Sequence, residues 1–214
     1  SATPYGNSNA YYTSMSNTTP TLSTNAWSKS YAASVRCVKE PAFDNCTGGD
    51  VQTPDGSCAT PCPGTPTVQD ADENVYNTVL IGNDCWMREN LKTTKFRNGV
   101  ALPNTSSNGA SFNPNDSSSN VSTYGKLYDW YAVQNAPGIC PTGWRVPTKD
   151  QWQALGWDSS GYKEQTIEHW DTPNEGATNS TGFTALPAGY RHQNQTYYHL
   201  SNNGYFWTET PSSS

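Results

Sequence analysis

The first region with a clear pattern of apolar and polar positions lies in residues 1–40. Apolar residues occupy every second position from Tyr31 to Cys37, and Ser34 and Arg36 lie between them. A period of two predicts a strand that is buried on one face. The strand is expected to end before Pro41, because the residue that precedes a proline disfavours helical continuation and often marks a boundary. The run Ala10-Tyr11-Tyr12 predicts a shorter strand upstream.

Strand patterns return after residue 75. A hairpin is predicted from strand Asn77–Ile81, a Gly82-Asn83 turn and strand Cys85–Asn90, because a Gly-Asn pair suits a tight turn between alternating strands. Near the other end, short strands are predicted around Asn202-Asn203-Gly204, with the strongest strand at Gly204–Thr210. These regions predict a protein rich in short strands.

Two stretches carry a helical period instead. Residues 124–136 predict a short helix with one common face, formed by Leu127, Trp130, Tyr131 and Gln134. The second stretch, residues 138–155, reads GICPTGWRVPTKDQWQAL. There Thr148 is the predicted N-cap and Gln151 completes a capping box, with Trp152 on the buried face. The sequence therefore predicts two short helices.

Residues 41–75 have almost no apolar period and are rich in proline, glycine and cysteine. We interpret them as a stiff linker with a local disulfide among Cys46, Cys58 and Cys62. The run DADEN resembles a sparse Ca²⁺ loop, since Asp70, Asp72 and Asn74 alternate, but it lacks the glycine and distal glutamate of an EF-hand. A solvated acidic linker is the preferred interpretation, and neither a metal nor a cofactor is expected.

Composition narrows the class of protein further. Only 14% of the 214 residues are charged and the net charge is −6, which argues against a nucleic-acid partner. The 12% of aromatic residues argues against disorder, and six cysteines fit an oxidising compartment, so an extracellular or cell-surface location is expected. The sequence contains no run of about 18 apolar residues, so no membrane span is predicted. Without an initiator methionine or signal peptide, the chain is expected to be a processed or excised piece.

Several motifs in order resemble one known family. They read TVLIGNDCWMRENL, YGKLYDWYA, GICPTGWRVPTKDQWQAL, GFTALPAGYR and GYFWTET. They are similar to the Fibrobacter succinogenes major paralogous domain (FISUMP), a family related to the C-type-lectin-like and formylglycine-generating-enzyme-like fold. The resemblance implies an α+β, C-type-lectin-like domain with short strands, two short helices, long loops and disulfides.

The order of the motifs is circularly permuted relative to that family. The resemblance implies that Asn9-Ala10-Tyr11 and Ser34–Val38 are the family's last two strands, here placed first. We therefore expect residues 1–40 to be the C-terminal strands of a domain, 41–75 a linker, and 76–214 the N-terminal part of a domain completed by 1–40 of the next copy. The chain could be one period of a tandem repeat, a subunit that exchanges strands, or a domain closed on itself.

A filament is the preferred outcome, because the first two arrangements are head-to-tail and open-ended. The expected function is a structural subunit or repeat of an extracellular bacterial fibre, with copies of itself as partners. The resemblance implies a Cys37–Cys140 disulfide, which would join different repeats in a filament. Cys85–Cys140 is the competing pair, and the other cysteines allow several connectivities.

Catalysis is not expected. The Arg-Gly-Gly-Ser-Trp segment near the reactive cysteines of formylglycine-generating enzymes does not occur in the sequence, nor does a nucleophile elbow or a phosphate loop. The three histidines, His169, His192 and His199, lie in polar sequence that is typical of solvated loops.

The alternative function is a secreted carbohydrate-binding adhesin with a self-closed lectin-like domain. Its sugar-stacking candidates are Trp157, Tyr162 and Trp170, in a polar excursion of the chain. The competing interpretation is that tryptophans fill the core, which we favour for Trp144, Trp152 and Trp207.

Glycans could also be attached to the chain. Asn-x-Ser/Thr tripeptides occur at Asn17, Asn45, Asn104, Asn115, Asn120, Asn179 and Asn194. Surface glycosylation is therefore predicted, with these asparagines as the N-linked candidates and the Ser/Thr-rich loops as O-linked ones.

Overall fold

A computed structural model describes residues 8–39, 51–52, 58–105, 108–164 and 168–212. The strands are β1 (Asn9–Ser16), β2 (Ser23–Ser28), β3 (Ala32–Ala33), β4 (Val38–Lys39), β5 (Val51–Gln52), β6 (Cys58–Ala59), β7 (Thr67–Gln69), β8 (Val75–Ile81), β9 (Asp84–Met87), β10 (Ser111–Phe112), β11 (Leu127–Asp129), β12 (Ala188–Arg191), β13 (Tyr197–Leu200) and β14 (Asn203–Pro211). The helices are α1 (Val121–Tyr124), α2 (Trp130–Gln134) and α3 (Lys149–Ala154), with 3₁₀ turns at Pro114–Asp116 and Ser118–Asn120. No helix in these ranges has the length and apolarity to cross a bilayer. The chain is thus a sheet-rich α+β protein.

The main sheet has eight strands in the order β10-β11-β3-β12-β14-β1-β2, with β13 paired to β12. The pairing of β12 with β14 is parallel, and the other pairings in this sheet are antiparallel. A second sheet has the order β4-β9-β8-β7, and β5 pairs with β6. Strands from the two ends of the chain are therefore interleaved in one sheet.

The predicted hairpin and capping box are confirmed. β8 and β9 pair with Val79 opposite Trp86, and the turn between them is at Gly82-Asn83. At the start of α3, the Thr148 hydroxyl accepts from the Gln151 N–H and the Gln151 side chain accepts from the Thr148 N–H. Both elements were predictable because they depend on residues close in sequence.

The hairpin and α3 meet in an aromatic core. The Trp86 and Trp152 ring centroids are 5.0 Å apart, and Trp152 also contacts Phe206 at 5.3 Å. The core positions predicted for Trp144, Trp152 and Trp207 are confirmed, since each is at most 3% exposed. Burial of large rings is a major source of stability in a domain with so few aliphatic residues.

The helix predicted over residues 124–136 is wrong in its first half. α1 ends at Tyr124, and Gly125 follows with a φ of 72°. A Cβ at Gly125 would lie 2.7 Å from Cβ of Asn90, so the close approach requires glycine. β11 then pairs with β3 and β10 before α2 begins. Tertiary pairing with distant strands thus overrides the local helical period.

The half-buried strand predicted from Tyr31 to Cys37 is also corrected. Only Ala32–Ala33 forms a regular strand, and every residue from 32 to 38 is buried. The supposedly solvent-facing residues Ser34 and Arg36 are 0% exposed. The segment therefore passes through the interior of the domain rather than along its surface.

Part of the predicted linker is integrated into the fold. β7 pairs with β8, and the backbone N–H of Leu80 donates to Thr60 O at 2.8 Å. Asp70 is only 8% exposed, so the prediction of a solvated acidic linker is wrong at this position. The described residues between 60 and 75 belong to the second sheet and its edge.

Candidate functional site

The most informative site is the junction between residues 8–39 and the rest of the chain, which we call the seam. β1 lies between β14 and β2, and β3 lies between β11 and β12. The register places Ala10 opposite Pro211 and Met15 opposite Gly204. Residues 8–39 thus supply inner strands, whose removal would divide the main sheet.

The seam also brings the two described ends together. The Ser212 N–H lies 3.4 Å from Asn9 O, beside the antiparallel pairing of β1 with β14. A short connection from the end of β14 to the start of β1 would therefore form a hairpin. This geometry fits the permuted motif order implied by the sequence resemblance.

Arg36 is the central side chain of the seam. Its guanidinium is 0% exposed and contacts the ring of Phe183, with Cζ 4.4 Å from the centroid. It donates to five oxygens: Oδ1 of Asn90 at 2.6 Å and the backbone carbonyls of Met87 at 3.0 Å, Arg88, Phe183 at 2.7 Å and Thr184 at 2.8 Å. These acceptors belong to the MREN and GFTA segments of the sequence motifs, so three distant motifs meet at one guanidinium.

Burial lowers the pKa of Arg36 to about 9, and this effect exceeds the opposing influence of Glu89. The side chain is still a cation at neutral pH. A buried cation is costly unless its donors are satisfied, and here five oxygens satisfy them. Arg36 therefore makes the position of residues 34–38 dependent on two loops from the other side of the seam.

Lys163 makes the reciprocal contact from the other side. Its side chain is buried, and Nζ donates to Ser16 O at 3.0 Å and to Glu175 O at 2.6 Å. Burial lowers the pKa of Lys163. Two of the carbonyls that Lys163 binds, those of Ser16 and Thr19, lie across the seam. Each side of the seam thus contributes a buried cation that binds carbonyls of the other side.

Two disulfides join described cysteines. Cys37 is bonded to Cys140 across the seam, the pairing that the family resemblance implies. Cys62 is bonded to Cys85, so the competing Cys85–Cys140 pair does not form. Cys46 lies outside the described residues, as does the Cys58 side chain. A local disulfide that includes Cys62 does not form, because β8 and β9 place Cys85 beside it, and a Cys46–Cys58 bridge stays a prediction.

The structure contains a second candidate site that the sequence did not predict. Aromatic rings from both sides of the seam form a partly exposed cluster, which we call the aromatic face: Tyr12, Trp27, Tyr31, Tyr190, His192, Tyr198, His199 and Tyr205. The alternation of Tyr190 with His192 is a weak local signal for it. Nothing local indicates that Trp27 and Tyr31 meet the same surface.

The predicted sugar-stacking residues are not brought together as one surface. Tyr162 and Trp170 are buried, at 9% and 1% exposure, and both belong to the core around Trp152. Their stacking role is corrected, because a ring enclosed by protein offers no face to a sugar. Trp157 is 71% exposed and remains a candidate from this set.

The predicted glycosylation positions divide in the same way. Asn17 and Asn179 are buried, and their amide nitrogens donate to Asp171 O and Thr184 Oγ1. An asparagine in that state is closed to a glycosyltransferase. Asn104, Asn115 and Asn194 are exposed, Asn120 is half-buried, and Asn45 lies outside the described residues.

The three histidines lie in separate settings. Nδ1 of His169 contacts Glu164 at 2.9 Å, and Nδ1 of His199 contacts the Tyr205 hydroxyl at 2.7 Å. His192 packs against Tyr31 at a centroid distance of 4.5 Å. His169 and His192 are half-buried rather than fully solvated, and His199 is exposed.

The acidic side chains in the run at 70–74 stabilise the local fold by accepting hydrogen bonds from neighbouring residues. Asp70 accepts hydrogen bonds from the backbone N–H groups of Asp72 and Asn74 and from the Tyr76 hydroxyl at 2.5 Å. Asp72 accepts from Thr93 and Thr94 and lies 3.0 Å from Nζ of Lys95. The carboxylates therefore have protein donors, as expected for a structural clamp.

This clamp predicts a loss of stability in acid. Burial raises the pKa of Asp72, but hydrogen bonds from Thr94, Lys95 and Thr93 outweigh it and lower the pKa to about 2, from 3.8. The carboxylate then stabilises the fold above about pH 4, and this contribution is lost as the pH falls toward 2. We expect the stability advantage of the wild type over Asp72→Asn to shrink between about pH 5 and 2, measured by urea unfolding at each pH. The exposed Glu168→Gln variant serves as control, and an advantage for Asp72 that stays constant with pH would contradict the assignment.

Comparison with known proteins matches residues 79–214 to the model of the Fibrobacter succinogenes major domain, over more than half of the chain. No curated protein and no solved structure matches the chain. The matched residues include the MREN and GFTA segments that hold Arg36 and the strand β14 that pairs with β1. The chain belongs to the Fibrobacter succinogenes major domain family.

Proposed function

We propose that the chain is a structural subunit of an extracellular bacterial fibre, assembled head to tail by donation of residues 8–39 from one copy to the next. The observation that carries the proposal is the seam. Within residues 8–39, β1 and β3 occupy inner positions of the main sheet, and their buried contacts resemble those within a domain core rather than those of an accessory arm.

The connection across residues 40–57 permits such an exchange. Of this connection, the eleven residues between β4 and β5 reach on the order of 40 Å when extended, a span that allows residues 8–39 to join the chain's own sheet or that of a neighbour. Donating an inner strand saturates the backbone hydrogen bonds of the receiving sheet, as in strand-addition assemblies. Because donor and acceptor surfaces lie at different places on the molecule, exchange gives a heterologous and open-ended assembly.

The related parts of the proposal are the lectin-like fold and the extracellular location. A disulfide that joins Cys37 to Cys140, just before α3, supports the resemblance to C-type-lectin-like domains. Two disulfides are typical of proteins that fold outside the reducing cytosol. The proposed role is structural and requires no catalytic residue.

The two disulfides provide the test, because they differ in their relation to the seam. The chain, produced in an oxidising compartment, is run on non-reducing and reducing gels, and the same sample is imaged by electron microscopy. With strand exchange, Cys37–Cys140 links different chains, so a ladder is expected that collapses on reduction. Cys62–Cys85 lies on one side of the seam and stays within a chain in every arrangement.

Matched variants make this result specific. Cys37→Ser combined with Cys140→Ser should remove the ladder, whereas Cys62→Ser combined with Cys85→Ser should retain it. Regular fibres in the images together with this pattern support the proposal. Compact particles with a single monomer band under both conditions would overturn it and favour a self-closed domain.

A further inference from the structure

The aromatic face has a composition that distinguishes it from ordinary core. Its members are tryptophan, tyrosine and histidine alone, and they include no aliphatic, Lys, Arg, Asp or Glu side chain. Tyr12 and Tyr205 are buried at 7% exposure, while Tyr198 is 39% exposed and His199 is also exposed. The cluster therefore extends from the core to the solvent.

Neighbouring rings are close enough to form a continuous surface. Trp27 lies 4.6 Å from Tyr190 between ring centroids and 3.8 Å from Tyr12. Tyr190 is nearly parallel to Tyr31 and to Tyr198, at 5.9 Å and 5.4 Å. The packed inner rings hold the outer ones in place, so binding a ligand would cost little side-chain entropy.

The polar groups of the outer rings are available. The hydroxyls of Tyr31, Tyr190 and Tyr198 make no hydrogen bond within the part of the chain that the structure describes. Each hydroxyl can both donate and accept. The surface thus combines apolar rings with hydroxyl partners and contains no Lys, Arg, Asp or Glu.

We propose that the aromatic face binds neutral, pyranose-containing glycans. A pyranose ring has an apolar C–H surface that packs on aromatic rings and hydroxyl groups at its edge that suit phenol and imidazole partners. An acidic glycan finds no Lys or Arg side chain among these residues, and a hydrophobic peptide finds no aliphatic pocket. The inference goes beyond the fibre proposal and does not depend on it, because the same rings meet whichever copy supplies Trp27 and Tyr31.

The experiment is calorimetric titration of the chain with neutral hexasaccharides of glucose, galactose, mannose and N-acetylglucosamine, and with a hexamer of a uronic acid. Binding of at least one neutral hexasaccharide, and weaker binding of the uronic acid, is expected. Tyr198→Ala and Tyr31→Ala should each weaken binding about tenfold or more, since the loss of one stacked ring costs about 1.4 kcal/mol or more. Tyr190→Phe removes a hydroxyl and keeps the ring, so a smaller loss is expected.

Val100→Ala is the control, because it truncates a side chain that is 57% exposed and lies outside the aromatic face. It should leave binding unchanged. Thermal melting of each variant verifies that the fold is retained, and binding is compared only at temperatures where all variants are folded. The proposal is overturned if no neutral glycan binds, if the uronic acid binds best, or if Trp157→Ala alone removes binding.

Discussion

Replacement of Arg36 by methionine is expected to destabilise the domain by roughly 3–5 kcal/mol, which is the usual cost of removing one partner from a buried charged network. Methionine fills much of the same volume, but it donates no hydrogen bond. Four backbone carbonyls and Oδ1 of Asn90 then lose their donor inside the core. Each buried oxygen left without a donor costs about 1–3 kcal/mol. Such a loss is a large share of the stability of a typical domain.

Urea unfolding followed by circular dichroism measures this effect. Arg36→Lys should recover little, because an ammonium group has three donors and lacks the planar fork that serves five acceptors. Arg145→Met is the matched control: its side chain is 38% exposed and pairs with Glu209 at 3.2 Å, so the expected cost is below about 1 kcal/mol. Equal effects at Arg36 and Arg145 would contradict the central role of Arg36.

The burial of Arg36 illustrates what the sequence could not predict. The period of two from Tyr31 to Cys37 correctly marked a segment associated with the sheet. An arginine in the alternate position normally faces solvent, so the pattern indicated a half-buried strand. The carbonyls that accept from Arg36 come from backbone at 87–88 and 183–184, and a backbone carbonyl leaves no signal in a sequence.

Local devices were predicted well for the opposite reason. The capping box at Thr148 and the turn at Gly82-Asn83 depend on residues a few positions apart, and both are present. The segment 124–136 shows the limit of local evidence. Its apolar spacing suits a helix, but β11 gains pairing on both sides within the main sheet, and that pairing prevails.

The disulfides depended on different kinds of information. Cys37–Cys140 followed from the family resemblance, whereas Cys62–Cys85 followed from neither spacing nor resemblance. Three cysteines close in sequence suggested a local bridge, yet Cys62 lies beside β8 and β9 and bonds to Cys85. Proximity along the chain was a poor guide because the described part of the predicted linker folds against the second sheet.

The candidate sites also differ in whether they depend on residues close in sequence or on contacts between distant segments. Exposure of Trp157 agrees with its place in a polar excursion, but the same excursion buries Tyr162 and Trp170. The aromatic face combines β1 and β2 with β12, β13 and β14, and it exists only once the seam has formed. A site assembled from residues near both ends of the described chain cannot be recognised without the strand order.

Replacement of Asp129 by alanine is expected to destabilise the domain by about 3 kcal/mol or more. The carboxylate is buried and accepts from the backbone N–H groups of Gly109, Ala110 and Ala132, at 3.0, 3.0 and 2.9 Å. It caps α2 and at the same time fixes the loop that leads into β10. Loss of a cap costs about 0.5–2 kcal/mol, and each further buried N–H left unpaired adds about 1–3 kcal/mol. Urea unfolding at neutral pH measures the difference, with the exposed turn residue Asp158→Ala as a control that should change little.

The pH dependence of Asp129 provides an independent check. Burial raises the pKa of Asp129 to about 6, and this effect exceeds the lowering by backbone hydrogen bonds from Ala110, Ala132, Gly109 and Tyr131. The folded state then binds the proton before the unfolded state does, so the contribution of Asp129 to stability increases as the pH falls from about 6 toward 4. This pH range lies above the range in which Asp72 acts, and the change in stability with falling pH has the opposite sign. The difference in unfolding free energy between the wild type and Asp129→Ala should therefore widen between about pH 7 and 4. A difference that narrows over this range would show that hydrogen bonding, rather than burial, dominates at Asp129.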